Sequence, residues 1–173
     1  MSKTPRIILA VILASLSLGL LISGCSATDA AVVGRKAPDF ELPNADGETI
    51  SLSDFNGSPI LINFWYTGCP PCRIEMPYLQ QVHSEMQGDG LVILAINVGD
   101  SSGTVRQFLE NRNLSSLLNT VLFDSNGATL KKYGIQFYPT TFFVDRDGII
   151  QEKVIGAFQS KEAIEKRLDK IMS

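Results

Sequence analysis

The fold of this chain is decided by the stretch Phe64-Trp65-Tyr66-Thr67-Gly68-Cys69-Pro70-Pro71-Cys72. The nearly continuous apolar run over residues 59–66 predicts a buried β-strand, and it stops just before the first cysteine. We expect a helix to begin at Cys69 and to run to about Gln87, through Pro77. The pattern therefore places both cysteines at a junction between a strand and a helix.

A C-x-x-C pair at such a junction gives its two thiols different roles. Cys69, at the helix N-terminus, would meet the positive end of the macrodipole, which lowers the thiol pKa and favours the nucleophilic thiolate. Cys72 lies one turn further in, near enough to attack a mixed disulfide on Cys69 and so leave a Cys69–Cys72 disulfide. The alternatives are a structural disulfide or half of a metal site. The metal site is disfavoured because the single histidine, His83, is expected on the surface about 16 Å further along the helix.

The rest of the domain alternates between strand and helix patterns, which is typical of an α/β sandwich. Alternating segments on either side of residues 44–47 predict a β-hairpin ahead of the core, with strands over residues 38–42 and 49–52. Further strands are expected over residues 91–97, 120–124, 140–144 and 149–155, and helices over residues 104–112, 128–133 and 161–172. We therefore predict a central mixed β-sheet flanked by helices.

Composition indicates one ordinary globular domain. The chain has 173 residues, is 45% hydrophobic and carries a formal net charge of −3 with both signs interspersed. The sequence contains no basic cluster, so nucleic acid is not an expected partner, and we expect a monomer. Three cysteines are too few for a disulfide-stapled scaffold or a four-thiolate zinc site, which leaves targeting and redox chemistry. Neither a cofactor nor a metal is expected.

The N-terminus has the features of an export signal. Lys3 and Arg6 precede an apolar stretch over residues 7–22, which leads into Leu21-Ile22-Ser23-Gly24-Cys25. This ending resembles the bacterial lipobox, which implies cleavage before Cys25 and diacylglycerol on its thiol. We therefore divide the chain into a signal peptide (1–24), a lipidated tether (25–36) and a folded domain (37–173) on the extracytoplasmic face of a bacterial membrane. An uncleaved span or a plain signal peptide is the alternative, although a span needs ~20 apolar residues.

Four motifs stand along the domain. They are Asn63-Phe64-Trp65, Cys69-Pro70-Pro71-Cys72, Glu75-Met76-Pro77 and Tyr138-Pro139-Thr140-Thr141-Phe142. Together they resemble the membrane-tethered thioredoxin-like reductases of the TlpA/ResA type, and the similarity covers residues 34–173. The resemblance implies a thioredoxin-like fold that reduces protein disulfides through Cys69 and Cys72. It also implies apocytochrome c haem-binding cysteines as the first candidate substrate and an integral membrane thiol transporter as electron donor.

The resemblance also assigns roles around the cysteines. Pro139 is expected to be a cis-proline facing the disulfide, which leaves neighbouring backbone free to pair with a substrate strand. Tyr138, Pro70 and Pro71 are further candidate substrate contacts. Trp65 is expected to pack in the core and rim, and we include it among the candidate substrate contacts.

Two positions depart from the family pattern. Gly68 stands where a tryptophan or another bulky residue is common, so we expect a more open rim there. Tyr138 stands where a smaller residue is usual, so substrate docking and redox potential are expected to differ from the family norm.

Glu75 is the candidate proton acceptor for the inner thiol. Asn63 occupies the place where cytoplasmic thioredoxins carry a buried aspartate, and an amide cannot accept that proton. Glu75, three residues after Cys72, lies on the same helical face and is the natural substitute. The alternatives are that Glu75 is a solvated acid near a helix start and that Asn63 is only a core amide.

Two other functions compete with disulfide exchange. A hairpin-first domain starting at Gly34 is shared with peroxiredoxins, but Cys69 lacks the preceding proline-and-threonine loop of a peroxidatic cysteine and has a second thiol beside it. A metal carrier would use Cys69 and Cys72 as two soft ligands, yet no cluster of methionine or histidine accompanies them in the sequence. Both are less favoured than a reductase.

Overall fold

The structure is a computed structural model that describes residues 30–172. Its strands are β1 (Glu41–Pro43), β2 (Thr49–Ser51), β3 (Ile60–Trp65), β4 (Val92–Val98), β5 (Val121–Asp124), β6 (Thr140–Val144) and β7 (Ile150–Ile155). Strands β1 and β2 form an antiparallel hairpin, and the other five form a mixed sheet in the order β5-β4-β3-β6-β7. Strand β3 runs parallel to β4 and antiparallel to β6. Every residue of this central strand is buried, which explains its continuous apolar sequence.

Four α-helices lie within the described residues: α1 (Pro70–Met86), α2 (Ser102–Glu110), α3 (Ala128–Lys132) and α4 (Lys161–Met172). Short 3-10 helices occupy Leu52–Phe55, Gln87–Asp89 and Ser115–Thr120. Helices α1, α2 and α4 cover one face of the sheet, where Met76 and Leu168 pack in one core with Trp65. The hairpin and α3 cover the other face, where Phe40 packs in a second core with Phe64.

The predicted thioredoxin-like sandwich with an N-terminal hairpin is confirmed, and most of its boundaries lie within two residues of the prediction. Helix α1 continues through Pro77. Helix α2 starts two residues early because Ser101 Oγ caps it, accepting a hydrogen bond from Thr104 N at 3.1 Å. The 3-10 helix at Ser115–Thr120 was not predicted, since six residues are too few to show a helical period.

The hairpin strands are shorter than predicted at their outer ends, because a 3-10 helix begins at Leu52 and Asp39 Oδ1 accepts the N–H groups of Phe40 at 2.9 Å and Ser53 at 3.2 Å. Side-chain hydrogen bonds close the turn between the strands. Asn44 Oδ1 accepts the N–H groups of Asp46 at 3.0 Å and Glu48 at 2.9 Å. Ahead of the hairpin, Gly34 N donates to the carbonyl of Ile150 at 2.8 Å. The chain therefore joins the sheet at residue 34.

The two ends of the sheet carry different parts of the chain. The carboxyl ends of β3, β4 and β5 and the amino end of β6 lie at one end, and the cysteines and Pro139 are found there. Residues 34–37 meet residues 148–150 at the opposite end. The N-terminal segment thus reaches the domain far from the cysteines. Among the helices within residues 30–172, none is long and apolar enough to cross a bilayer.

Candidate active site

Cys69 is the N-cap of α1. Its backbone is extended, with φ −81° and ψ 108°, and its Sγ accepts a hydrogen bond from Cys72 N at 3.1 Å. Pro70 and Pro71 fill the first two helical positions and have no N–H to offer. The first backbone donor within reach of the sulfur is therefore Cys72, three residues on.

The two cysteines form a disulfide across this first helical turn, with their Cα atoms 5.3 Å apart. Cys69 is 2% exposed, whereas Cys72 is completely buried. The predicted disulfide is present, and its outer sulfur belongs to the residue expected to act as nucleophile.

Glu75 is buried within the protein, on the same helix as Cys72 and one turn further on. Its residue exposure is 0%, and both carboxyl oxygens are used. Asn63 Nδ2 donates to Oε1 at 2.8 Å, and the backbone N–H of Phe158 donates to Oε2 at 3.1 Å. Burial raises the pKa of Glu75 from 4.5 to about 7, against the lowering effect of the two hydrogen bonds. The solvated acid considered from the sequence is thereby excluded.

Asn63 links Glu75 to the sheet. The same Nδ2 also donates to Thr141 Oγ1 at 2.9 Å, across the β3–β6 pair in which the two residues face each other. Its Oδ1 is buried without a hydrogen-bond partner within the described residues. Asn63 is thus a core amide that also positions the carboxyl group.

The loop before Cys69 is fixed by Asp100, a residue that the sequence did not single out. Its carboxylate accepts hydrogen bonds from Thr67 N at 2.7 Å, Thr67 Oγ1 at 3.0 Å and Asn97 Nδ2 at 3.0 Å. From the other side, Arg73 Nε donates to the carbonyl of Thr67 at 2.8 Å. The sequence signal that could have identified Asp100 is its position as a polar residue just beyond the carboxyl end of β4, which is the strand beside β3.

Pro139 follows a cis peptide bond from Tyr138, as predicted, and lies buried directly before β6. Its carbonyl accepts a hydrogen bond from Gly156 N at 2.9 Å. Strand β6 then pairs Thr140 with Phe64, at the end of β3 that leads to the cysteines. The proline loop and the cysteine loop therefore lie at the same end of the sheet.

The rim at Gly68 is not the open gap that was predicted. A Cβ built on Gly68 would lie 3.1 Å from Cε2 of Tyr66, so the tyrosine ring takes up the space beside the glycine. The same ring meets Tyr138 edge to face, with centroids 5.2 Å apart. The two departures from the family pattern are thus in contact through Tyr66.

Trp65 is a core residue, which corrects its inclusion among the substrate contacts. The side chain is 0% exposed and packs against Phe108 with ring centroids 5.7 Å apart. Trp65 is the last residue of β3 and points under the helices, whereas Tyr66 lies beyond the strand and stays at the surface. Pro70 and Pro71 are exposed, in keeping with a place on the rim.

Two residues singled out from the sequence lie away from this arrangement. His83 is half-buried and not on the open surface as expected, and its Nδ1 has no hydrogen-bond partner within residues 30–172. Cys25, the expected lipidation site, lies outside the described residues. No group of three or more potential metal ligands occurs in the part of the chain that the structure describes.

A disulfide that spans the first turn of a helix, at the same end of a mixed sheet as a cis-proline, defines a thioredoxin-like thiol–disulfide oxidoreductase. Comparisons with known proteins agree. Residues 33–153 match the AhpC/TSA family. The thiol-disulfide oxidoreductase ResA of Geobacillus thermodenitrificans (strain NG80-2) is 34% identical over 165 residues, which are 95% of this chain and 92% of that protein.

Solved structures show the same kinship. The thiol:disulfide interchange protein DsbE from Chlorobium tepidum superposes with a TM-score of 0.74 at 33% identity, covering 82% of this chain and 99% of that one. The pneumococcal exposed lipoprotein thioredoxin Etrx1 of Streptococcus pneumoniae strain TIGR4 gives a TM-score of 0.66 at 30% identity, covering 78% and 100%. The chain belongs to the AhpC/TSA family, and within it to the thiol–disulfide oxidoreductases of the ResA/DsbE type, which confirms the resemblance drawn from the sequence.

Proposed function

We propose that this protein is a lipid-anchored, extracytoplasmic reductase of protein disulfides. The observation that carries the direction of electron flow is the cap of α1, where a single backbone N–H, that of Cys72, reaches the sulfur of Cys69. A thiolate with few donors is less stabilised than one with several. Poor stabilisation of the reduced form favours the disulfide form, and a protein of this kind gives up its electrons readily.

The proposed cycle starts when the Cys69 thiolate attacks one sulfur of a substrate disulfide. That S–S bond breaks, one substrate sulfur leaves as a thiolate and takes a proton from water, and a mixed disulfide forms on Cys69. Cys72 then loses its proton and attacks Cys69 Sγ, which releases the second substrate thiolate. Two electrons have passed to the substrate, and the Cys69–Cys72 disulfide of the structure is the product.

Glu75 is the proposed acceptor of the Cys72 proton. A base is most effective when its pKa lies near the working pH, and burial places the pKa of Glu75 at about 7. Asn63 holds the carboxyl group in place through its hydrogen bond to Oε1. The amide itself has no titrating group, so the proton must pass to the glutamate or to solvent.

The anchor is proposed from the sequence at Cys25, after a signal peptide over 1–24. The proposed tether runs over 25–33 and not to 36 as expected, because residues 34–36 already bond to the sheet. The similar pneumococcal protein described as an exposed lipoprotein supports it. At ~3.5 Å per residue at most, such a tether would keep the domain within roughly 30 Å of the bilayer. Cys25→Ala should leave the protein in the soluble fraction or as an uncleaved precursor, with unchanged thiol exchange. Membrane retention of a processed Cys25→Ala protein would contradict the anchor.

The proposed partners follow from the family resemblance. The first candidate substrate is the pair of haem-binding cysteines in apocytochrome c, and the first candidate donor is an integral membrane thiol transporter. One experiment tests both partners together. A purified transporter is expected to reduce the Cys69–Cys72 disulfide, and the reduced protein is then expected to reduce an oxidised apocytochrome peptide.

The reduction potential of the cysteine pair tests the direction of electron flow. The full chain in detergent is equilibrated with dithiol and disulfide mixtures, and its thiols are counted after acid quenching. We expect a value near or below that of thioredoxin, ~−270 mV, whereas a value near ~−120 mV would indicate an oxidant. Peroxide consumption by the same reduced protein, measured in parallel, would support the peroxidase alternative instead.

A further inference from the structure

Tyr66 is an exposed residue three positions before the nucleophile, Cys69. Its ring packs against Gly68 on one side and Tyr138 on the other. Its carbonyl accepts the N–H of Cys69 at 3.2 Å, so its backbone moves with that cysteine. Its side chain is 36% exposed. The ring therefore lies at the surface of the loop that leads to the nucleophile.

Gly68 leaves the space that the ring of Tyr66 occupies. The backbone of Gly68 is not in the left-handed region, so its conformation does not require glycine. A Cβ there would lie 3.1 Å from Cε2 and 3.4 Å from Cδ2 of Tyr66. The absence of a side chain at Gly68 thus allows the tyrosine ring to lie against the loop.

Tyr138 holds the other side of the ring. The two rings meet at an interplanar angle of 83° with centroids 5.2 Å apart, which is a favoured aromatic geometry. Tyr138 directly precedes Pro139, so the contact joins the cysteine loop to the proline loop. Burial, together with the nearby carboxylate of Asp124, raises the pKa of Tyr138, and its hydroxyl therefore stays neutral.

The exposed surroundings of this pair carry few charges, and the carboxylate of Asp124 near Tyr138 is buried. Phe137, next to Tyr138, is 61% exposed. Three segments lie at this end of the sheet, residues 66–74, 134–140 and 155–160, and Arg73 is the single charged side chain that they contain. Arg73 already donates its Nε to Thr67. An apolar substrate side chain would lose little by being buried on such a surface, whereas a carboxylate would lose its hydration.

We propose that the Tyr66–Tyr138 pair, seated on Gly68, is a specificity-determining wall that favours substrate segments carrying an aromatic or large aliphatic residue next to the cysteine under attack. The inference rests on the proposed function, since it concerns substrates of the same disulfide. The occupant is an extended segment of an oxidised protein. The wall acts on binding, so its loss raises KM for apolar substrates while the chemistry at Cys69 continues.

The test uses three symmetrical disulfide-linked peptides that differ only in the residue next to cysteine: Phe, Ser or Asp. Their reduction by the full chain in detergent is followed with a dithiol as the regenerating reductant, beside a small disulfide, 2-hydroxyethyl disulfide. For the native protein we expect kcat/KM for the Phe peptide to exceed that for the Ser peptide by roughly tenfold, a factor that corresponds to 1.4 kcal/mol. The Asp peptide should be the poorest of the three.

The variants separate the wall from the rest of the site. Tyr66→Ala and Tyr138→Ala should each bring the Phe-to-Ser ratio close to one through a higher KM for the Phe peptide. Gly68→Ala should lower the ratio while keeping both aromatic rings, which guards against a folding defect. Val33→Ala is the matched control, because it removes an exposed apolar side chain at the opposite end of the sheet and should leave every rate unchanged.

The outcomes distinguish this inference from the proposed function. Equal kcat/KM for all three peptides with the native protein, or an unchanged ratio in Tyr66→Ala and Tyr138→Ala, would overturn the wall and leave the reductase intact. Failure to reduce any disulfide, the small one included, would overturn both. If the native protein sediments as a dimer and Tyr66→Ala sediments as a monomer, a second copy of the chain covers the pair. That result would also overturn the proposal.

Discussion

Replacement of Glu75 by glutamine should change how the stability of the oxidised protein depends on pH. The carboxyl group has no contact with solvent, and its burial raises the pKa from 4.5 to about 7. Glutamine keeps the size of the side chain and cannot ionise. The substitution therefore removes the titration while leaving the packing in place.

The magnitude follows from the difference between the two pKa values, about 2.5 pH units, and it has a definite sign. Below pH 4.5 the group is protonated in both the folded and the unfolded protein, and it costs nothing. Between pH 4.5 and 7 the unfolded chain ionises first, so folding becomes less favourable as pH rises. Above pH 7 the free-energy cost of burying the ionised carboxyl group is constant at about 3 kcal/mol. Glu75→Gln should increase the free energy of unfolding by this amount.

Glutamine can also be accommodated in the hydrogen-bond network. Its Oε1 can accept the N–H of Phe158, and its amide then points at Asn63, whose Oδ1 has no partner in the native network. Rotation of the Asn63 amide would present that oxygen to the glutamine, and Thr141 could donate its hydroxyl in exchange. The loss of hydrogen bonds should therefore be small compared with the removed cost of ionisation.

The assay is urea unfolding of oxidised residues 30–173 at pH 4, 6 and 8. The free energy of unfolding of Glu75→Gln should exceed that of the native protein by close to zero at pH 4 and by about 3 kcal/mol at pH 8. Glu110→Gln, at an exposed position near the end of α2, is the matched control and should show no such rise. A gain that is the same at all three pH values would refute the raised pKa.

Kinetics on the same variant address the proposed role of Glu75 in catalysis. The decay of the mixed disulfide should slow near neutral pH, because the Cys72 thiol has lost its proton acceptor, while the first attack by Cys69 is less affected. Rapid mixing with acid quenching would separate the two steps. An unchanged decay rate and pH profile would leave Glu75 as a structural carboxyl group.

Further substitutions test the two cysteines, the helix cap and the loop before Cys69. Cys69→Ser should abolish exchange while Cys72→Ser should accumulate mixed disulfides on trapping gels, and trapping by Cys69→Ser instead would reverse the two roles. Pro71→Ala adds an N–H at the second helical position, which points at the cap residue Cys69. One hydrogen bond of about 1 kcal/mol to the Cys69 thiolate should raise the reduction potential by about 20 mV. Pro70→Ala, one position earlier, is the control. Asp100→Ala should lower the unfolding free energy by about 2 kcal/mol in urea, because Thr67 loses two hydrogen bonds to the carboxylate and Asn97 loses one. It should also slow the first attack, and an unchanged rate would show that the loop before Cys69 keeps its position without Asp100.

The fold and the cysteine chemistry could be predicted from the sequence because their signals are local. Residues 59–72 contain a buried strand, a cap and a helix start, and each is recognisable within a few residues. Pro139 lies seventy residues away from Cys69, and it was found only through a family resemblance. Local patterns therefore predicted the elements, and the resemblance predicted their juxtaposition.

The surroundings of Glu75 could not be predicted in the same way. Its place on the inner face of α1 was visible, but an acid near a helix start is usually solvated. Its burial depends on Phe158, which is 83 positions away in sequence, and on Asn63, which lies on the central strand. Asp100 similarly reaches Thr67 across 33 positions. Such contacts exist only once the sheet has assembled.

In the proposed cycle, the two half-reactions are controlled from opposite sides of α1. On the outer side lie the rings of Tyr66 and Tyr138 and the two exposed prolines, which we propose as the surface that faces the substrate. On the inner side, Glu75 is held by the central strand and by the backbone after β7, out of contact with solvent. The substrate therefore meets the outer side before the inner thiol takes part. Within residues 30–172 no hydrogen bond joins the aromatic pair to Glu75. We therefore expect substitutions in the pair to change substrate docking without changing the release step.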